Sequence, residues 1–149
     1  MPAEETDLRE RIQMAVVRFI ARVVVYNHAV AQRVGLGASD GQFLTLLQVH
    51  GPMTAGQLAD MTQLSTGTTT GVIDRLERAG FGRRVRDDQD RRKVIVMRDE
   101  EVITDKIAPH YAAQARRLNE VLASRSADEL RVIADFLTDM VAGPDPELP

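Results

Sequence analysis

Two helix-opening signals lie close together in the middle of the chain, and they restrict the fold more than any other feature. Thr54 with Gln57 makes a capping box at the head of TAGQLADMTQ, and Ser65 caps TGTTTGVIDRLERAG, which stops at Gly80. In the first segment Leu58, Ala59 and Met61 are the apolar residues. In the second, Val72, Ile73, Leu76 and Ala79 share one face at helical spacing. Only a tight turn at Gln63-Leu64 separates them. Two short amphipathic helices joined this way predict a helix-turn-helix.

The stretch that follows, RRVRDDQDRRKVIV (Arg83 to Val96), holds six Lys or Arg and three Asp. Arg83 to Arg86 and Lys93 to Met97 are strand-forming, and DDQD between them is turn chemistry, so a β-hairpin with Asp90, Arg91 and Arg92 at its tip is expected. A helix-turn-helix followed by a basic hairpin is a winged helix-turn-helix.

Charge distribution gives this layout a purpose. The chain is acidic, with a formal net charge of −3, yet Asp74 to Arg98 carries nine basic residues against five acidic ones. A basic block on an acidic body suggests a local polyanion site; the alternative is a solvated charge run. The start of the second helix weighs toward the former. Thr66-Gly67-Thr68-Thr69-Thr70-Gly71 is a poor helix opening, since each Gly costs about 1 kcal/mol relative to Ala. Gly allows close backbone approach, and Thr offers a hydroxyl and a methyl to a major groove. The helix would enter that groove while the tip arginines reach the adjacent minor groove. In this reading the aspartates orient the arginines by bidentate pairing.

The remainder is helical. Thr6 to Arg33 repeats apolar residues at Leu8, Ile12, Val16, Phe19, Val23 and Val30, and Val16 to Val25 is apolar on nearly every side. GLGAS breaks it, and Ser39 with Gln42 is expected to box the next helix, which runs through His50 to a stop at Gly51-Pro52. Toward the C-terminus Tyr111, Ala115, Leu118 and Leu122 share a face, with Pro109 kinking or restarting that helix. Ser126 with Glu129 opens a last helix with Leu130, Ile133, Ala134, Leu137 and Met140 or Val141 inward, ended by Gly143-Pro144. The tail PDPELP is expected to fray.

At 149 residues this is one domain. With no cysteine, disulfides and thiol chemistry are excluded. Met14 to Tyr26 reads as too short for a membrane span and is broken by Arg18 and Arg22, and MPAEETDLRE lacks a signal-peptide pattern. The expectation is a cytoplasmic protein without a membrane partner.

On GLGASDGQFLTLL, GPMTAGQLA, LSTGTTTGVIDRLERAGF and RRVRDDQDRRKVIV, above all DRLERAG followed by a DRR wing tip, the chain resembles the MarR family of bacterial transcriptional regulators. The resemblance implies a mainly α fold with a small β-hairpin wing. A dimerisation helix at 6–34 and C-terminal dimerisation helices at 99–143 flank a winged helix-turn-helix at 35–98. It implies a homodimer that binds double-stranded DNA at a near-palindromic operator, most often a repressor released by a small aromatic or lipophilic effector. DNA-facing residues are then Ser65, Thr66, Thr68, Thr69, Thr70, Arg75, Arg86, Arg91 and Arg92, with Arg84 and Asp90 supporting the wing. Asp90 and Arg92 match the family's Asp-x-Arg pair. Two departures stand out: Gly71 occupies a position where many relatives carry Arg, and VMRDEEVI replaces the usual Leu-Thr-x-x-Gly after the wing.

Other chemistries find no support in the residues. Ser39 and Ser65 are explained as caps, and no nucleophile motif surrounds them, so no enzyme and no cofactor are expected. His28, His50 and His110 fall on three helices without metal spacing; only clustering in the fold would make a metal site. A winged helix used for protein contacts would not need an arginine-rich tip. An effector pocket is expected where Tyr26, Phe43, Leu47 and Tyr111 supply apolar walls and His28 or His110 a polar contact.

Overall fold

A computed structural model describes residues 3–143 of the chain. Its elements are α1 (Ala3–Arg33), α2 (Ala38–His50), β1 (Met53–Thr54), α3 (Ala55–Thr62), α4 (Thr66–Ala79), β2 (Gly82–Arg86), β3 (Val94–Arg98), α5 (Glu100–Lys106), α6 (Ala108–Ala123) and α7 (Ala127–Val141). The expected mainly helical fold with a hairpin wing is present. The chain divides into two compact units, one up to His110 and one from Tyr111 onward.

The first unit is built around the winged helix-turn-helix. Phe43, Leu44 and Leu47 of α2, Leu58 of α3, and Val72, Ile73 and Leu76 of α4 converge with Phe81, Val96 and Ile103 in one buried cluster. Each such side chain contributes about 1.5–3 kcal/mol by leaving water. This cluster fixes the angle at which α4 leaves the body.

The local signals act where they were read. Thr54 Oγ1 accepts the Gln57 N–H at 3.1 Å, and Gln57 Oε1 accepts the Thr54 N–H at 2.8 Å. Gln63 closes α3 in the left-handed region (φ 56°), with its side-chain amide donating to the Asp60 carbonyl at 2.7 Å. Gly80, at φ 81°, ends α4 and donates to carbonyls of the last turn.

Three features differ from the expectation. The sheet has three strands in the order β1-β3-β2, not two, because Met53 and Thr54 pair with Val96 and Ile95. α2 opens at Gly37, not through a Ser39–Gln42 box: the Asp40 carboxylate accepts the Gly37 N–H at 2.8 Å. After the wing, Asp99 caps a further short helix by accepting the Val102 N–H at 3.1 Å, so the RDEEV sequence has its own helix start. That helix ends at Lys106 and α6 restarts at Ala108, which places Pro109 in the first turn, where a missing N–H costs nothing.

α1 packs its C-terminal end, through Val30 and Ala31, into the unit. Most of its length is uncovered: Leu8, Ile12, Met14, Val17, Phe19, Ile20, Val24 and Val25 are all exposed. Helix Glu4–Arg33 is long and apolar enough to cross a membrane by length and composition, a property that the short Met14 to Tyr26 window did not convey.

In the second unit α7 starts at the expected box. Ser126 Oγ accepts the Glu129 N–H at 3.2 Å, and the Glu129 carboxylate accepts the Ser126 N–H at 2.8 Å, which holds Glu129 below its ordinary range. No residue of α6 or α7 is buried in the single chain, so the expected inward placement of Leu137 and Met140 is not met within one copy. The tail PDPELP lies outside the described residues.

Candidate nucleic-acid interface

The N-terminal turn of α4 presents small polar groups. Ser65 Oγ accepts the Thr68 N–H at 3.2 Å and donates to Thr68 Oγ1 at 2.9 Å, which fixes both hydroxyls at the helix mouth. Ser65, Thr66, Gly67, Thr68 and Thr70 are exposed. Thr69 is not: at 1% exposure it belongs to the interior, and its Oγ1 has no hydrogen-bond partner among the described residues. The expectation that Thr69 faces a groove is therefore corrected. It lies in the same helical stripe as Val72, Ile73 and Leu76, which points into the core.

Arg75 leaves α4 half-exposed and pairs with buried Asp40 of α2, with Nη2 at 2.8 Å from Oδ1. The bonded carboxylate raises the guanidinium above its ordinary pKa. Arg84, at the start of the wing, bridges two acids of α4. Its Nη2 donates to Asp74 Oδ1 at 2.8 Å and its Nη1 to Glu77 Oε2, while its backbone N–H donates to Glu77 Oε1 at 2.7 Å. Asp74 and Glu77 together raise the pKa of Arg84. The wing base is thus bolted to the recognition helix.

β2 and β3 pair from Gly82↔Arg98 to Arg86↔Val94, and the tip turns through Asp87 to Lys93. Arg86 Nη1 donates to the Arg91 carbonyl at 2.9 Å, so it also closes the loop from inside. Asp90 corrects another expectation. Its Oδ1 accepts the backbone N–H of Arg92 at 3.1 Å, and its carbonyl accepts the Lys93 N–H at 2.8 Å. It shapes the turn and, among the described residues, makes no ion pair with a tip guanidinium.

These pairings sort the basic block. Arg75, Arg84 and Arg98 are each held by carboxylates. Among the described residues Arg83, Arg86, Arg91, Arg92 and Lys93 have no carboxylate partner, and all five are exposed. Five of the block's six cations without a carboxylate partner therefore lie on the wing, beside the exposed mouth of α4, and the sixth, Arg78, is exposed on α4 itself.

The residues expected to line an effector pocket are placed differently. Phe43 is 0% exposed and belongs to the core, as does most of Leu47. The Tyr26 hydroxyl donates to the His110 carbonyl at 2.5 Å, and Tyr111 falls in the second unit. A cleft of about 370 Å³ in the first unit is lined by Leu47, Gln48, Pro52, Met97, Arg98 and Glu100, among others; of the residues expected to line a pocket it uses only Leu47. Among the described residues no group of three or more His, Cys, Asp or Glu is placed to hold a metal ion.

Sequence reasoning missed Asp40, the partner of both Gly37 and Arg75. Its only local signal is an acid in the first turn of a helix.

Residues 38–94 match the model of the MarR family. The chain is 45% identical over 76 residues to the uncharacterized HTH-type transcriptional regulator YcgE of Bacillus subtilis, a match that covers 51% of this chain and about half (49%) of that protein. A MarR family protein from Bacillus stearothermophilus has a similar structure, with 25% identity and a TM-score of 0.60 over 90% of this chain and 94% of that one. So has a mutant of MepR from S. aureus bound to an oligodeoxyribonucleotide, with 18% identity and a TM-score of 0.54 over 87% of this chain and 96% of that one.

Proposed function

The chain belongs to the MarR family, and from that premise we propose that it is a transcriptional regulator that binds double-stranded DNA in a sequence-specific manner as a homodimer. One observation carries this reading: five exposed cations without a carboxylate partner are gathered on the wing of an acidic protein, next to an exposed, threonine-lined helix mouth. In such a complex α4 enters the major groove and Arg91 and Arg92 approach the flanking minor groove. The DNA-bound MepR mutant shares this fold, which supports the same docking here.

The homodimer follows from surface chemistry. Exposed apolar residues run along α1, and α7 adds Phe136, Leu137, Met140 and Val141. A monomer rarely leaves an apolar helix face as long as that of α1 in water. A second copy covers it symmetrically and sets two recognition helices about one DNA turn apart, which demands a near-palindromic site.

Repression relieved by a small aromatic or lipophilic ligand is the regulatory part of the proposal. The absence of cysteine from the sequence removes thiol oxidation as a switch and leaves direct ligand binding. Such a ligand acts only by its difference in affinity between DNA-competent and incompetent dimers. The cytoplasm, where the DNA is, is the proposed location.

Binding to duplex DNA at several salt concentrations tests the central claim. Affinity is expected to fall log-linearly with salt, at a slope near −0.9 per phosphate neutralised. A flat response would refute it.

A further inference from the structure

Arg75 is gripped along one edge of its guanidinium. Nε lies 3.0 Å from Asp40 Oδ1 and 3.3 Å from Oδ2, and Nη2 lies 2.8 Å from Oδ1. The carboxylate is itself fixed, because Oδ2 also accepts the Gly37 N–H at 2.8 Å and the residue is 1% exposed. Arg75 keeps 49% of its side chain exposed. The opposite edge, formed by Nη1 and the outer hydrogen of Nη2, has no acceptor among the described residues.

That edge lies over Gly71. A Cβ built at Gly71 would sit 3.7 Å from Arg75 Nη1, so the head of Arg75 has reached back one helical turn toward the exposed mouth of α4. A long side chain at residue 71 would compete for this space. Glycine leaves it to Arg75.

We propose that Asp40 is a positioning residue that fixes Arg75 so that its free edge reads a guanine in the major groove. The proposal rests on the DNA-binding reading above. A guanidinium held side-on offers two N–H groups end-on, at the spacing of guanine O6 and N7. The carboxylate cancels much of the arginine's charge but leaves the direction of those hydrogens intact. A directional pair of acceptors is therefore favoured over a diffuse phosphate charge. Asp40 also removes the rotamer freedom that Arg75 would otherwise lose on binding.

The test begins with a duplex enriched from a randomised library by the wild-type protein. Wild type, Asp40→Asn and Arg75→Lys are then titrated with that duplex, with versions carrying 7-deazaguanine at one guanine at a time, and with a random-sequence duplex of equal length. All titrations are run well below each variant's unfolding midpoint. Both variants are expected to lose about tenfold on the selected duplex. On the random duplex Arg75→Lys should hold its affinity, and Asp40→Asn should hold or gain, because it drops a negative charge. A 7-deazaguanine that weakens the wild type should have no effect on Arg75→Lys. Equal losses on both duplexes would reduce Asp40 to a purely structural role and overturn the proposal. So would undiminished affinity for the selected duplex, or a 7-deazaguanine effect that persists in Arg75→Lys. If Asp40→Asn does not fold, the Arg75→Lys comparison decides alone. Wild-type protein that binds neither duplex would overturn the DNA-binding reading as well; retained binding to the random duplex separates the two failures.

Discussion

Glu77 holds Arg84 at two points, one carboxylate oxygen accepting its backbone N–H at 2.7 Å and the other its guanidinium. A side chain of the recognition helix therefore sets both the first strand of the wing and the charge at its base. Asp74 adds a third attachment at 2.8 Å. These contacts tie the wing to the helix, which suits the simultaneous contact with two grooves proposed above.

Glu77→Ala is expected to lower stability by roughly 1 kcal/mol, a value reduced for the partial exposure of both partners. Glu77→Gln keeps an acceptor for the Arg84 N–H and should lose less. Urea unfolding measures both. The same ordering should appear in duplex affinity, since the wing loses its fixed angle. A Glu77→Ala protein with wild-type stability and affinity would show the wing is anchored elsewhere.

The wing tip separates a charge effect from a shape effect. Arg92→Ala removes an exposed unpaired cation, so affinity for duplex DNA should fall and each dimer should lose about two units of salt slope. Asp90→Ala removes the acceptor for the Arg92 N–H together with a negative charge, and Asp90→Asn removes the charge alone. Asp90→Ala should therefore bind more weakly than Asp90→Asn, which keeps an oxygen there and should bind at least as tightly as wild type. An Arg92→Ala protein with the wild-type slope would leave the tip without a phosphate contact.

What could be read in advance divides by range. Thr54, Ser65, Gly80 and Ser126 act on backbone groups within four residues, so their capping and stopping roles are visible in the sequence. Met53 and Thr54 join the sheet only because α2 delivers them beside Val96 and Ile95, and a two-residue strand has no pattern of its own. Asp40 and Arg75 are 35 residues apart, and nothing local links them. Asp90 was assigned to side-chain pairing, but at short range a backbone N–H two residues on is the nearer partner. The place of Thr69 is legible in the sequence through its methyl and not its hydroxyl. Its spacing from Val72, Ile73 and Leu76 is that of a core stripe.

Thr69→Val follows from that placement. The change keeps the shape and removes a buried hydroxyl that has no partner among the described residues. Stability is expected to rise by about 1 kcal/mol. DNA affinity and salt slope should stay unchanged, because the side chain does not reach the surface. Thermal melts and duplex titrations check the two halves. A loss of DNA affinity at unchanged stability would return Thr69 to the interface.

The exposed length of α1 sets the last prediction. Thirty-one residues make a helix of about 46 Å, long enough either to cross a bilayer or to lie along a second copy. Arg18 and Arg22 decide between them. Both sit near the middle of the helix, where a bilayer would charge roughly 2.5–3.5 kcal/mol for each. In a dimer their stems cover apolar surface while their heads stay in water. Light scattering should therefore find a dimer without detergent. Phe19, 68% exposed in one copy, makes the sharpest probe, since an aspartate there costs the single chain little and a packed interface a great deal. Phe19→Asp should give monomers whose winged unit remains folded by circular dichroism. Their affinity for a near-palindromic duplex should fall well over tenfold, as one recognition helix must then bind without its tethered twin. A Phe19→Asp dimer with full affinity would place the interface elsewhere, and wild-type protein that sediments with membranes until detergent is added would assign α1 to lipid.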